Sequence, residues 1–204
     1  MRFAFWMALS AIAVLAGAAP AWSAEITKDD GKDGLTVIIV DGELELGDEA
    51  KFAGLAVPVK DAVVLLAGPG GNLRAGLEIG KAIRLKGFAT WVPDQLSCAS
   101  ACALAWLGGT RRAMADSAKI GFHAAWVDSG GGPVTASSGN ALVGAYLVQL
   151  GLSERAIVYL TKAPPTGLSW LTFAAAQANG IEVRKVNMGE PKSPPAAAPS
   201  PAPI

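Results

Sequence analysis

Gly68-Pro69-Gly70-Gly71-Asn72-Leu73-Arg74-Ala75-Gly76-Leu77-Glu78-Ile79 stands between two segments of different periodicity, and that contrast decides the fold class. Before it, Ala62-Val63-Val64-Leu65-Leu66 is a continuous apolar run, as expected of a strand buried on both faces. After the glycines, Leu73, Gly76, Leu77, Gly80 and Ile83 fall on one side of a helix, with Arg74, Glu78 and Lys81 on another. Arg74 and Glu78 are one helical turn apart. Gly87 ends the helix, and Phe88 to Val92 reads as the next strand. Strand, glycine turn, helix and strand in that order make the unit of a layered α/β protein. The turn leaves backbone N–H groups at the head of a helix, where a negative oxygen is favoured. Read alone, this is a weak signal, and a strand–helix turn that needs glycine for its geometry is the simpler reading. It is no dinucleotide fingerprint, because the G-x-G-x-x-G spacing is missing.

The alternation continues outward. Leu35 to Val40 reads as a strand, with Asp41-Gly42 as a turn after it. Asp48 to Ala56 reads as a short helix. Ala99 to Leu107 reads as a helix that Gly108-Gly109 ends. Arg112 to Ala115 and Lys119 to His123 read as short strands, Leu142 to Leu150 and Glu154 to Leu160 as helices. Ser169 is placed to cap a helix running to Asn179, with Gly180 as its stop and Ile181 to Val186 as a last strand. The folded domain is expected over 34–187.

The two ends differ from this middle. Arg2 followed by the apolar run Phe3 to Ala18 reads as a signal peptide, with small residues at Ala19, Ala21 and Ser23 placing cleavage between Ala21 and Ala24. The alternative is an uncleaved anchor. The expected leader is 1–24, and a periplasmic or secreted location follows from it. The proline- and alanine-rich stretch 188–204 has the composition of an extended, solvated tail. Of the 204 residues, 51% are hydrophobic and 17% charged, enough to bury a large core. Seventeen basic residues balance seventeen acidic ones with no basic stripe, which argues against a nucleic-acid partner.

Two further segments carry chemistry. Ser97-Cys98-Ala99-Ser100-Ala101-Cys102-Ala103 follows a strand and opens an apolar helix, where the helix dipole favours an anion. Either Ser97 or Ser100 could be an ordinary N-cap. His123 is the single histidine of the chain and ends the strand Ile120-Gly121-Phe122-His123. A serine nucleophile needs a base able to take its proton near neutral pH, and histidine is the natural one.

Together these pieces resemble the ClpP peptidases of the ClpP/crotonase superfamily. The stretch 68–79 is similar to their glycine-rich turn and first active-site helix. Cys98 to Ala105 is similar to their small-residue nucleophile segment, with Ser100 on the serine. Gly109-Thr110-Arg111-Arg112 and Ile120 to His123 follow at similar spacing, with His123 on the base. Trp170-Leu171-Thr172 to Gly180-Ile181 resembles their closing helix and strand. More narrowly, the chain resembles periplasmic ClpP-like proteins with a paired-cysteine form of the serine segment.

The resemblance implies an α/β fold of the ClpP/crotonase type, a spiral of stacked strands wrapped by helices. It implies a serine hydrolase acting on peptides or unfolded chains, with no cofactor and no metal. Ser100 would attack, His123 would carry the proton, and the N–H groups of Gly71 and Ala101, with Gly70, would hold the oxyanion. Homo-oligomers are usual for such folds, and Leu142, Val143, Tyr146, Leu147 and Leu150 form an apolar stripe at helical spacing that is equally suited to such an interface or to ordinary core. An exported member would lack an ATP-dependent unfoldase. One position departs from the pattern: Leu168 or Ser169 stands where the family keeps its triad aspartate. Asp116 and Asp128 are candidates to reach the histidine from elsewhere. A catalytically silent relative that holds a peptide is the competing reading. A crotonase-type acyl-CoA enzyme ranks below both, because carboxylates near the glycine turn are missing from the sequence pattern. In an oxidising compartment, Cys98 and Cys102 are placed to pair around Ser100, the bond being easy only if Cys98 precedes the helix. Two buried, inert thiols are the alternative.

Overall fold

The computed structural model describes residues 23–31 and 34–186. In chain order these form β1 (Glu25–Asp30), β2 (Thr36–Leu44), α1 (Asp48–Ala56), β3 (Ala62–Gly71), α2 (Leu73–Lys86), β4 (Ala89–Val92), β5 (Ser97–Ala99), α3 (Ala101–Leu107), β6 (Arg111–Met114), β7 (Lys119–Phe122), β8 (Trp126–Asp128), β9 (Pro133–Thr135), α4 (Ser137–Gln149), α5 (Glu154–Thr161), β10 (Ser169–Leu171), α6 (Phe173–Ala178) and β11 (Arg184–Lys185). Residues 1–22 of the expected leader and the whole of the expected tail lie outside the described residues.

Strand β3 organises the sheet. Along one edge it pairs in parallel with β2 for its full length. Along the other edge Val63 to Leu65 pair with β4, and further on Gly68 pairs with Cys98 of β5. One strand therefore serves two sheets that diverge as they twist. One continues β4-β6-β11 and the other β5-β7-β10. The pairings are parallel except β1 on β2, β10 on β7, and the separate hairpin β8–β9. Glycine is required where β3 changes partner. At Gly68, φ is 145° and a Cβ would lie 2.1 Å from the carbonyl oxygen of Gly42 in β2. Any side chain there would push the two strands apart. Ala62, Val64 and Leu66 are buried, and Val63 and Leu65 are half-buried.

The helices follow from the same residues. Gly76, Leu77, Gly80 and Ile83 of α2 are buried as the periodicity predicts, and so are Ala75 and Ile79, because α2 packs against both α1 and α3. Asn72 caps it by accepting from the Ala75 N–H at 3.0 Å. Glu78 pairs with Lys81 at 2.8 Å, not with Arg74. Helix α3 is buried on every side, Trp106 and Leu107 completely. A helix apolar all round belongs in a core. Its last carbonyls are satisfied from outside. Leu104 O accepts from Tyr146, Trp106 O from Thr90, and Leu107 O from Arg112.

Several expectations need correction. The fold begins before Gly34: β1 pairs with β2, Ala24 is buried, and the Ser23 hydroxyl donates to Asp48 at 3.2 Å. Asp41-Gly42 is not a turn but an irregular step inside β2. Ser169 caps nothing. It lies in β10, opposite Phe122, and Thr172 caps α6 by accepting from Ala175 at 3.0 Å. The last strand is only Arg184–Lys185. The α4 stripe is mostly core: Val143, Tyr146, Leu147 and Leu150 are buried within the chain, and Leu142 alone of the five is exposed. Among the described residues no helix is long and apolar enough to cross a membrane.

Candidate functional site

The strand-to-helix junction at Ser100 is a strained point of the backbone, one of two non-glycine residues with a positive φ among those described, Gln95 being the other. Strand β5 ends at Ala99, and the Ser100 N–H still continues the ladder by donating to Gly121 O at 2.8 Å. Ser100 itself then turns to φ 54° and ψ −122°, and α3 begins at the next residue. A positive φ on a non-glycine residue costs roughly 1–3 kcal/mol and persists only where the surroundings impose it. Here they do. The backbone on one side is locked into a sheet, and on the other into a fully buried helix. Gly70 lies directly beneath: a Cβ there would meet Ser100 Cβ at 2.6 Å and Ala99 O at 2.8 Å. Its role in the geometry is to leave room for the turn.

Ser100 occupies the N-cap position, yet its hydroxyl makes no capping hydrogen bond. Ser97 lies exposed in β5 and caps nothing either. The Ala101 N–H, first of the helix, has no intrahelical partner and points along the positive end of α3.

Cys98 and Cys102 form a disulfide, with Cα atoms 5.2 Å apart. Cys98 belongs to the strand and Cys102 to the first turn of the helix, so the bond spans the Ser100 turn. Both sulfurs are buried, not exposed as an easy pairing of surface thiols would have them.

His123 directly follows β7 and is half-buried. Its Nδ1 lies 2.8 Å from the carbonyl oxygen of Ala124. A carbonyl only accepts, so in the neutral imidazole Nδ1 carries the proton and Nε2 keeps the lone pair. No hydrogen bond joins His123 to Ser100 among the described residues. Among the described residues no carboxylate pairs with the histidine. The antiparallel pairing of Ser169 with Phe122 brings Leu168 to the neighbourhood of His123, and its Cδ2 would be 3.3 Å from a Cβ on Gly121. The two carboxylates proposed to reach in from elsewhere do not. Asp116 pairs with Lys185 at 2.6 Å, and Asp128 accepts from the Gly130 N–H at 2.9 Å in its own hairpin.

Ser100, Ala101, His123 and Gly71 line one open cleft of about 660 Å³. Leu73, Leu104 and Leu142 give the cleft apolar lining, and Trp126 and Val127 of the β8–β9 hairpin line it too. Two features of the cleft escape a reading of the sequence. The hairpin is one, because its strands are three residues each. Glu43 is the other. It lines the cleft beside Gly71, so the glycine turn does have a carboxylate next to it. Nothing local marks Glu43; the β2–β3 register brings it there.

Scanned against protein-family models and against curated proteins, the chain matches none. Solved structures do match. A 1510-N membrane-bound stomatin-specific protease superposes with TM-score 0.57 and 19% identity, over 73% of this chain and 77% of that one. The same protease in complex with a substrate peptide gives 0.56 and 21%, over 73% of each chain. ClpP1 from Listeria monocytogenes gives 0.54 and 17%, over 74% of this chain and 92% of that one. The fold is that of the ClpP-like serine peptidases.

Proposed function

We propose that this chain is an exported serine hydrolase that cleaves peptides or unfolded chains with Ser100 and His123. One observation carries the reading. A serine held in a left-handed turn at the head of a buried helix, its hydroxyl uncommitted, shares a cleft with the single histidine of the chain, which presents a free Nε2.

The chemistry follows from those positions. As Ser100 Oγ bonds to the substrate carbonyl carbon, His123 Nε2 takes the hydroxyl proton. The carbonyl electrons move onto oxygen, and the N–H groups of Ala101 and Gly71 receive it. Collapse expels the amine, which leaves with the proton from His123. Water then attacks the acyl group, losing a proton to His123, and Ser100 departs with that proton. The Ala124 carbonyl sets the tautomer of His123 in place of a carboxylate. Being neutral, it stabilises the imidazolium less, and replacing a triad acid can lose about 10⁴ in rate. Slow turnover is expected. No ATP-dependent unfoldase is expected to feed the cleft, which favours short or already unfolded substrates.

A fluorophosphonate probe on purified protein tests this. Ser100 should be labelled, and both Ser100→Ala and His123→Ala should lose the label. Labelling that survives in Ser100→Ala, or none in folded wild type, overturns hydrolysis and leaves a peptide-holding groove. N-terminal sequencing tests export: Met1 intact on soluble protein would rule it out.

A further inference from the structure

The cleft carries one carboxylate, and its place is set by the central strands. Asp41 of β2 pairs with Ala67 of β3, but Glu43 pairs with Gly70, so β3 holds one residue more than β2 between those two pairs. That extra residue lies at the glycine turn. It draws the end of β2 level with Gly70 and Gly71, and Glu43 packs over the space that glycine leaves: a Cβ on Gly71 would be 2.9 Å from Glu43 Cγ. Glu43 is exposed, and among the described residues that line the cleft it is the one acidic side chain, with no lysine or arginine beside it.

A carboxylate here works against hydrolysis of a neutral substrate. The oxyanion of the tetrahedral intermediate forms between Gly71 and Ala101, and Glu43 adjoins the Gly71 side. Like charges at such range repel, more strongly as water is excluded. A cation placed against Glu43 reverses the sign. It pairs with the carboxylate and lies close to the developing oxyanion. Leu73, Leu104 and Leu142, which line the same cleft, suit an apolar neighbour.

We propose that the cleft selects substrates bearing a cationic group, an ammonium or guanidinium, that pairs with Glu43. This rests on the same cleft being the substrate site. The cation can come from a lysine or arginine side chain or from a free peptide N-terminus, and the test separates them.

The test uses binding, so that it does not depend on Ser100 chemistry. Calorimetry on the full chain carrying Ser100→Ala compares four short apolar peptides: lysine or acetyl-lysine at the centre, each with a free or acetylated N-terminus. The expected result is about tenfold tighter binding for at least one of the two singly cationic peptides than for the doubly acetylated one at low salt, with the advantage shrinking as salt rises. Glu43→Gln should abolish the preference, and Glu43→Lys should reverse it toward a glutamate-containing peptide. A preference tied to the N-terminal amine alone assigns the site to peptide ends; one tied to the side chain assigns it to internal cations. Equal binding of the four, no binding of any at millimolar concentration, or a preference retained in Glu43→Gln overturns the inference. Failure of hydrolysis is read separately, by the fluorophosphonate label.

Discussion

Cys98 and Cys102 are joined across Ser100, one sulfur from the strand that enters the turn and one from the helix that leaves it. The bond closes a loop too short to add much stability, at most about 2 kcal/mol by chain entropy. Its effect should fall on the turn. Reduction, or replacing both cysteines by alanine, should lower the melting temperature modestly and slow fluorophosphonate labelling of Ser100 by at least tenfold. Because both sulfurs are buried, reduction should need partial denaturant. Labelling at an unchanged rate in the reduced protein would remove the positioning role.

Strain at Ser100 is measurable without activity. Glycine adopts φ 54° freely, whereas alanine keeps the Cβ that makes it costly. Ser100→Gly should therefore be more stable than Ser100→Ala by about 1 kcal/mol in urea denaturation. Equal stabilities would mean that the turn is relaxed.

Gly70→Ala should do the opposite. A methyl at φ 114° would meet Ser100 Cβ at 2.6 Å and Ala99 O at 2.8 Å, with no flexible side-chain end to yield. A loss of roughly 2–3 kcal/mol and of Ser100 labelling is expected. A variant with wild-type stability would show that the turn has room to spare.

Tyr146 links α4 to α3 by donating its buried hydroxyl to Leu104 O at 2.9 Å. Burial pushes its ionisation well above the ordinary tyrosine range, against the weaker opposing pull of Arg84 and Arg112. A group whose folded pKa is raised contributes stability that is fully present below the unfolded pKa and is lost as pH rises past it. Stability of the wild type should therefore begin to fall above about pH 10 more steeply than that of Tyr146→Phe. At neutral pH the same substitution should cost about 1–2 kcal/mol, since Leu104 O loses its donor. Parallel pH profiles of the two proteins would refute the buried phenol's part.

Self-association, if carried by the helical face, must use residues that the core leaves over. Val148 of α4 and Val158 of α5 are 64% and 59% exposed. Light scattering should give a mass above the monomer, and Val148→Glu should return it to the monomer. A wild-type monomer across a wide concentration range would exclude assembly through this face.

Much of this architecture could be read from local pattern. The run Ala62 to Leu66, the glycine turn, the α2 periodicity and the spacing of Ser100 and His123 are written in neighbouring residues, because apolar periodicity and glycine placement act within a few positions. The pairing of Cys98 with Cys102 was legible too, from a separation of four residues. What remained hidden depends on partners far along the chain. Strands β5 and β10 have three residues each, too few for a pattern, and exist because β7 pairs with both. Glu43 looked like any surface acid until the β2–β3 register set it beside Gly71. Asp116 and Asp128 looked free until Lys185 and the hairpin claimed them. The α4 stripe could be read as interface or core until packing against α5 and α2 made most of it core. Sequence alone determined the longer strands and helices and where a nucleophile and base could stand. Tertiary structure decided which charges face the cleft, since register and long-range pairing aim a side chain, and neither is encoded within one element.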